Sequence, residues 1–357
     1  MTLLPGAPAT SEVRLGDATI GPDRRCYVIA EAGSNHDRDF DVARRLVDVA
    51  VEAGCDAVKF QTYTGSSLYS TKAPRFDYLG PLADRAPHEL LDEIALPRDW
   101  QAPLAGHCRE AGIEFLSSPF DREALDELDA LDVAAFKVAS FEIVDLAFLT
   151  DVGARRRPVV LSTGMATMEE IAEAVASVHA GGARDVCLLQ CASLYPAPPT
   201  VMNLAAIPAM KEAFGVPVGL SDHSLGIHIP VAAVGVGADL VEKHFTLDRT
   251  RPGPDHSFAV EPGELAEMVR WIRDAEVALG DGRKTGPSEE EREEMYTKAR
   301  RSVVAAQAIP EGTQITPEML TVKRPGFGIK PRDLPGVVGR RARRDIEADE
   351  VVTWDMV

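Results

Sequence analysis

The sequence predicts a (β/α)8 barrel followed by a small β-rich domain. Three observations carry this expectation. Eight short apolar runs alternate with longer amphipathic segments, each run ends in polar and reactive residue types, and the composition changes abruptly after residue 282. A chain of 357 residues exceeds ordinary single-domain size, and one large barrel plus a small domain accounts for that length.

In chain order the runs are CYVIAEAG (26–33), AVKFQTY (57–63), IEFLSSPF (113–120), AFKVAS (135–140), VVLSTG (159–164), VCLLQCAS (186–193), VPVGLSDHS (216–224) and LVEKHFTL (240–247). Between them, FDVARRLVDVAVEAG, MEEIAEAVASVHAGG and IPVAAVGVGA repeat apolar residues at helical spacing, with glycine placed as at a helix C-cap. Strand-plus-helix units also build doubly wound sheets, but no GxGxxG follows the first run. A closed barrel with its site at the strand C-termini explains the polar run ends better. The segment 64–100 is longer than one helix needs and is expected to cover the barrel mouth. The expected boundaries are a barrel over 1–282, a charged linker over 283–300 and a turn-rich small domain over 301–357.

The formal net charge of −18 argues against general affinity for nucleic acid or anionic membranes, so any anionic ligand must meet locally placed cations. Five cysteines without CxxC spacing suit reduced thiols in the cytoplasm. The first residues lack a basic start followed by an apolar run, and no stretch is apolar enough to span a bilayer.

The run ends supply the candidate chemistry. They carry Glu31 with Asn35 and His36 beyond it, Lys59 and Gln61, Ser117 and Ser118, then Lys137, Ser140 and Glu142. Ser162 and Thr163, Ser193 and Tyr195, Ser221, Asp222 and His223, and finally Lys243 and His244 complete the set. Lysine ammonium and serine hydroxyl groups suit phosphate and carboxylate oxygens, which implies a small, multiply anionic substrate. His223 and His244 end adjacent strands and could meet one cation while leaving positions open, or could simply bond neighbouring loops. Glu31 reads equally as a general base or as the neutraliser of a lysine. Lys59 and Lys137 sit inside apolar runs, where an ammonium is tolerated only if paired or functional. Lys243 is expected to pair with its neighbour Glu242, and Cys187 and Cys191 to share one strand face as buried core thiols.

Taken in order, IAEAGSNH, VKFQTY, SSPFD, FKVASFE, LSTGM, CASLYPAP, GLSDHSLG, EKHFTLDR and GPDHS resemble the motif set of the sialic acid synthase family. VKRPGFGI and the basic turns after it are similar to the antifreeze-protein-like domain that these synthases append to their barrel. The resemblance covers nearly the whole chain and implies condensation of phosphoenolpyruvate (PEP) with an N-acylmannosamine or related six-carbon aldose, with release of phosphate. By position it implies Glu31 as the essential carboxylate, and Lys59, Ser118, Lys137, Ser140, Ser193 and Ser221 on PEP. Gln61, Glu142, Tyr195 and Asp255 fall near the acceptor sugar, and His223 and His244 on a divalent cation, Mn2+ first, with Mg2+ or Co2+ as alternatives. Arg324 matches the arginine that the small domain extends to a partner subunit, which implies a domain-swapped homodimer. Asp37-Arg38 stands where many members have glycine, and Ser193 where several carry asparagine. Pseudaminic acid or another nonulosonate, made for a surface polysaccharide, spore coat or secondary metabolite, is the alternative product. A non-catalytic sugar-binding homologue is the alternative of another class, and retention of both histidines, both lysines and Glu31 counts against it.

Overall fold

The structure, a computed structural model, describes residues 12–74 and 85–357, and the chain divides into two units, Met1–Gly280 and Asp281–Val357. A short antiparallel hairpin of β1 (Val13–Leu15) and β2 (Ala18–Ile20) opens the first unit. Then come β3 (Tyr27–Glu31), β4 (Ala57–Thr62), β5 (Glu114–Pro119), β6 (Phe136–Val138), β7 (Val159–Ser162), β8 (Val186–Cys191), β9 (Val218–Asp222) and β10 (Leu240–His244). These eight strands form one parallel sheet in the order β5-β4-β3-β10-β9-β8-β7-β6, which curls until its edge strands β5 and β6 lie side by side. A nearly closed (β/α)8 barrel results. All eight strands fall inside the runs read from the sequence.

Alternation along each strand divides the core in two. Val28, Val58, Phe136, Val138, Leu161, Leu188, Leu220 and Val241 point outward to the helix layer, including Phe40–Glu52, Met168–Gly181 and Pro262–Leu279. Tyr27, Ile29, Ala57, Leu116, Val160, Leu189 and Leu240 point inward and pack against Val13, Leu15 and Ile20 of the hairpin. The hairpin therefore plugs the barrel end opposite the strand C-termini. Its three-residue strands are too short for periodicity to announce them, and they were not among the expected elements. Side chains fix several helix starts: Asp39, Asp121 and Asp145 accept from backbone N–H groups, and Thr167 with Glu170 forms a capping box.

Part of the long segment after β4 forms two helices, Gly65–Leu68 and Pro87–Ile94, while residues 75–84 of the expected cover lie outside the described residues. Gly65 permits their close approach, since a Cβ there would lie 1.8 Å from the His88 carbonyl oxygen.

The second unit starts with a short helical stretch, Glu289–Glu291, continuing as a π-helix over Arg292–Ala299. Its own core gathers Val303, Ile309, Ile315, Ile329, Val337, Ile346 and Val352. Regular strand is limited to β11 (Ser302–Ala305) against β12 (Leu320–Lys323), with isolated bridges such as Ile309 to Ile346. The ladders are short, as the turn-rich sequence leads one to expect, because Pro and Gly recur every few residues and break each of them.

Leu15 is fully buried in the plug. Leu15→Ala is expected to cost about 2–5 kcal/mol, measured as a lowered urea midpoint at unchanged m-value.

Candidate active site

Inward-facing residues change character from the plug toward the strand C-termini. Ile29 gives way to Glu31, Ala57 to Lys59 and Gln61, Leu116 to Ser118, Leu240 to Glu242 and His244. Two-residue alternation thus places ionisable groups on a shared floor above an apolar plug. Lys59 Nζ lies 2.8 Å from Glu31 Oε2, 3.7 Å from Glu242 Oε1 and 3.2 Å from Ser118 Oγ. Lys137 Nζ lies 3.9 Å from Glu242 Oε1 and donates to the Val138 carbonyl at 3.0 Å. Gln61 Nε2 donates to Glu31 Oε1 at 2.6 Å, and Ser221 Oγ donates to Glu242 Oε1 at 3.4 Å.

Burial sets the electrostatics of this floor. It raises the Glu31 carboxyl above its ordinary value despite Lys59, whose ammonium is shared with Glu242. Burial alone would lower Lys59, but Glu242 and Glu31 more than offset it and hold its pKa above the lysine norm. Lys137 is lowered, chiefly by burial, with Glu242 opposing. Glu242 is therefore the group that keeps both ammonium ions supportable in the barrel. It was not among the sequence-predicted site residues. The available signal was its spacing, two residues before His244 on the same strand face. Lys243 points the other way and pairs with Asp222 at 2.6 Å, not with Glu242, which corrects the expectation drawn from their adjacency. Lys243 also donates to the Ser224 carbonyl, so this buried pair ties β10 to the segment that follows β9.

The hydroxyl groups converge above the floor. Ser140 Oγ accepts from the Gly164 N–H at 2.9 Å. A Cβ at Gly164 would lie 2.4 Å from Ser193 Oγ and 2.9 Å from Ser140 Oγ, so glycine preserves a cradle between the two hydroxyls. Ser162 Oγ, Ser193 Oγ, Glu242 Oε2 and His244 Nδ1 are buried without an intramolecular hydrogen bond, His244 Nδ1 having Asp255 Oδ2 only at 3.8 Å, and such groups point to a ligand in native proteins. Cys191 lines this cavity too, its Sγ 3.8 Å from His223 Nδ1, whereas Cys187 sits in the plug core. The shared face was foreseen, but Cys191 lies one layer above the core thiol it was grouped with.

His223 and His244 stand with ring centroids 5.3 Å apart. The His223 Nδ1 donates to the Ala192 carbonyl at 2.9 Å, so Nε2 is the lone-pair nitrogen of its neutral ring, although Cys191 and that carbonyl outweigh burial and raise its pKa. Burial, then the nearby cations, lowers His244 well below the ordinary imidazole range, keeping it neutral and able to ligate. These two residues fit a divalent cation. Among the described residues no group of three or more His, Cys, Asp or Glu could hold a metal, so further ligands would be water or substrate oxygens.

A larger cavity of about 430 Å3 opens directly above, sharing Gln61, Tyr195 and His244 with the floor. Glu142 and Asp255 line only this outer space, along with Ser34, whose Oγ donates to Asp255 Oδ2 at 3.3 Å. Burial pushes the Glu142 carboxyl up to about 7, with Lys137 opposing. Asp37 and Arg38 both take φ of 52°, a region glycine prefers, held by Asp37 ion pairs to His256 and Arg251. Every barrel residue that the resemblance places on PEP, sugar or cation lines one of the two cavities or the Gly164 cradle, whereas Asn35, His36, Ser117, Thr163, Asp222 and Lys243 line neither. Arg324 is exposed on the C-terminal unit.

Fold and site define a (β/α)8 barrel with a lysine- and serine-lined cavity at its strand C-termini and an appended small domain. Residues 46–284 match the NeuB family and residues 300–357 the SAF domain family. The chain belongs to the NeuB family. It is 37% identical over 343 residues to the N,N'-diacetyllegionaminic acid synthase of Legionella pneumophila, covering 94% of this chain and 96% of that one. It is also 37% identical over 342 residues to human N-acetylneuraminate-9-phosphate synthase, covering 95% and 94%. Among solved structures, a spore coat polysaccharide biosynthesis protein of Bacillus subtilis superposes with a TM-score of 0.68 at 37% identity, over 97% of this chain and 99% of that one.

Two outcomes follow. Lys243→Met strands the buried Asp222 carboxylate and is expected to cost about 3–5 kcal/mol, read from urea unfolding. Because the Glu142 pKa is raised from 4.5 to about 7, its stabilising contribution is present below 4.5 and is lost as pH climbs through 7. Glu142→Gln should therefore gain on the parent by up to about 3 kcal/mol between roughly pH 5 and pH 8, read as a widening Tm difference.

Proposed function

We propose that this protein condenses PEP with a six-carbon amino-sugar aldose, giving a nine-carbon 3-deoxy-2-keto acid and inorganic phosphate. The observation that carries the reading is the convergence of Lys59, Lys137 and the Ser140–Ser193 cradle in a deep cavity joined to a roomier, sugar-sized one. Ammonium and hydroxyl donors suit the phosphate and carboxylate of PEP, and Gln61, Tyr195, Glu142 and Asp255 offer polar partners to an aldose.

On this reading C3 of PEP bonds to the aldehyde carbon, water adds at C2, the aldehyde oxygen gains a proton and the C2–O bond breaks to free phosphate. Lys59 and Lys137 hold the anion throughout, and both are anchored so that no reorganisation is needed as charge develops. Glu31, raised by burial and held by Gln61, would orient the water and take its proton. A divalent cation on His223 and His244, Mn2+ in first place, would polarise the aldehyde oxygen. Synthases for a legionaminic acid and for N-acetylneuraminate 9-phosphate are equally similar to this chain, so overall identity does not select the acceptor.

A homodimer that swaps its small domains is part of the same proposal. Phe141, Val144, Met165, Leu194 and Leu225 are exposed apolar side chains following adjacent strands β6–β9, a rim suited to a second copy. Arg324 and Phe327, both exposed on one loop of the small domain, are the groups such a copy would offer. Five unpaired cysteines support a cytoplasmic site of action. No helix among the described residues is long and apolar enough to cross a membrane.

The test is phosphate release from PEP by metal-stripped protein, with and without Mn2+, across a panel of amino-sugar aldoses. Metal-dependent release is expected from the parent protein and none from His223→Ala. Arg324→Ala should lower kcat/KM for the acceptor by about tenfold or more with Tm unchanged, and full turnover in either variant removes its assigned role.

A further inference from the structure

Lys243 and Asp222 form an ion pair that the proposed chemistry does not use. Both side chains are fully buried and point out of the barrel, from neighbouring strands β10 and β9 where the two residues stand in register. Such a pair is weak evidence for stability, since apolar residues of similar volume often serve as well or better. Apolar residues cannot, however, satisfy the polar groups of a backbone turn. Lys243 Nζ donates to Asp222 Oδ2 at 2.6 Å and to the Ser224 carbonyl, while Asp222 Oδ1 accepts from the Ser224 N–H at 3.0 Å. Both backbone polar groups of Ser224 therefore end on the pair. The residue enclosed by this ring of bonds is His223.

The remaining bonds of His223 complete its fixation: its carbonyl accepts from the Ala197 N–H at 2.9 Å, and its Nδ1 is held by the Ala192 carbonyl. On β10 the same ammonium belongs to the residue just before His244, whose Nδ1 makes no hydrogen bond to fix its ring. One ammonium thus acts on the main chain at both imidazoles. Resting on the divalent-cation reading of those histidines, we infer that Lys243 and Asp222 are positioning residues for the cation, setting the spacing of its two imidazole ligands from outside the barrel without touching it. Two protein ligands leave a cation little redundancy, so freedom gained by either imidazole lowers affinity directly.

The deciding experiment measures the Mn2+ dissociation constant of the metal-stripped full chain from the electron paramagnetic resonance signal of free Mn2+, and PEP affinity of the same metal-free protein by calorimetry. Lys243→Met alone leaves an unpaired buried carboxylate, so the decisive variant is the double substitution Asp222→Asn, Lys243→Met. It leaves no unpaired charge and keeps an acceptor for the Ser224 N–H. The double variant should bind Mn2+ about tenfold or more weakly than the parent, the usual loss when an outer partner of a metal ligand is removed. Its PEP affinity should match the parent's, because Lys59 and Lys137 keep their partners. Leu15→Ala, destabilised at the opposite end of the barrel, should retain the parent's Mn2+ affinity. Parent-like Mn2+ affinity in the double variant overturns the positioning role and leaves the cation reading standing. Equal weakening in Leu15→Ala, or PEP affinity lost in step with Mn2+, overturns it too, since general loosening then accounts for the effect. A parent that binds no Mn2+, or full binding by His223→Ala, overturns the cation reading and this inference with it.

Discussion

Buried charge is the constraint around which the barrel is arranged. Lys59, Lys137, Glu31 and Glu242 are each almost wholly removed from water, and each is tolerable only because the others are there. Around the wall the order β6-β5-β4-β3-β10 brings Lys137, Lys59, Glu31 and Glu242 in turn, so Lys59 and Glu31 stand on adjacent strands while Glu242 reaches toward both lysines across the barrel. The apolar plug beneath denies these groups water from below and makes their mutual pairing obligatory. An incoming anion therefore meets ammonium groups already fixed in position, their hydration already given up during folding.

That pairing explains which parts of the molecule were readable from sequence. The eight strands announced themselves because parallel strands buried on both faces read as continuous apolar runs. Lys59 and Lys137 stood out for the same reason, as charges interrupting apolar stretches. Glu242 did not, since Lys243 beside it offered an apparently sufficient partner. Only the strand's alternation separates the two, sending Glu242 into the barrel and Lys243 out to Asp222. Cys187 and Cys191 show the complementary error: their common face was legible, but the height at which apolar filling yields to site was not.

Other features lay beyond any local pattern. The β1–β2 hairpin is recognisable as a plug only once the barrel exists for Leu15 and Ile20 to enter. The apolar wall that Leu90 and Ile94 give the outer cavity comes from an insertion whose two helices have short amphipathic patterns, and whose packing depends on one glycine passing a carbonyl. The turn-rich character of the small domain was legible in its recurring Pro and Gly, but the pairing of its short runs by bridges around a compact core was not.

The stacking of the two cavities over a sealed floor has a kinetic meaning. With the plug closing one end, the floor opens toward the outer cavity, and among the described residues Gln61, Tyr195 and His244 line both spaces. A ligand resting in the outer space bars the way to the inner one. On the assignment made above, the three-carbon partner must load before the sugar, and the sugar-derived product must depart before phosphate can drain. Turnover then follows a compulsory sequence, and the sugar, supplied in excess, becomes an inhibitor of its own reaction by occupying the doorway.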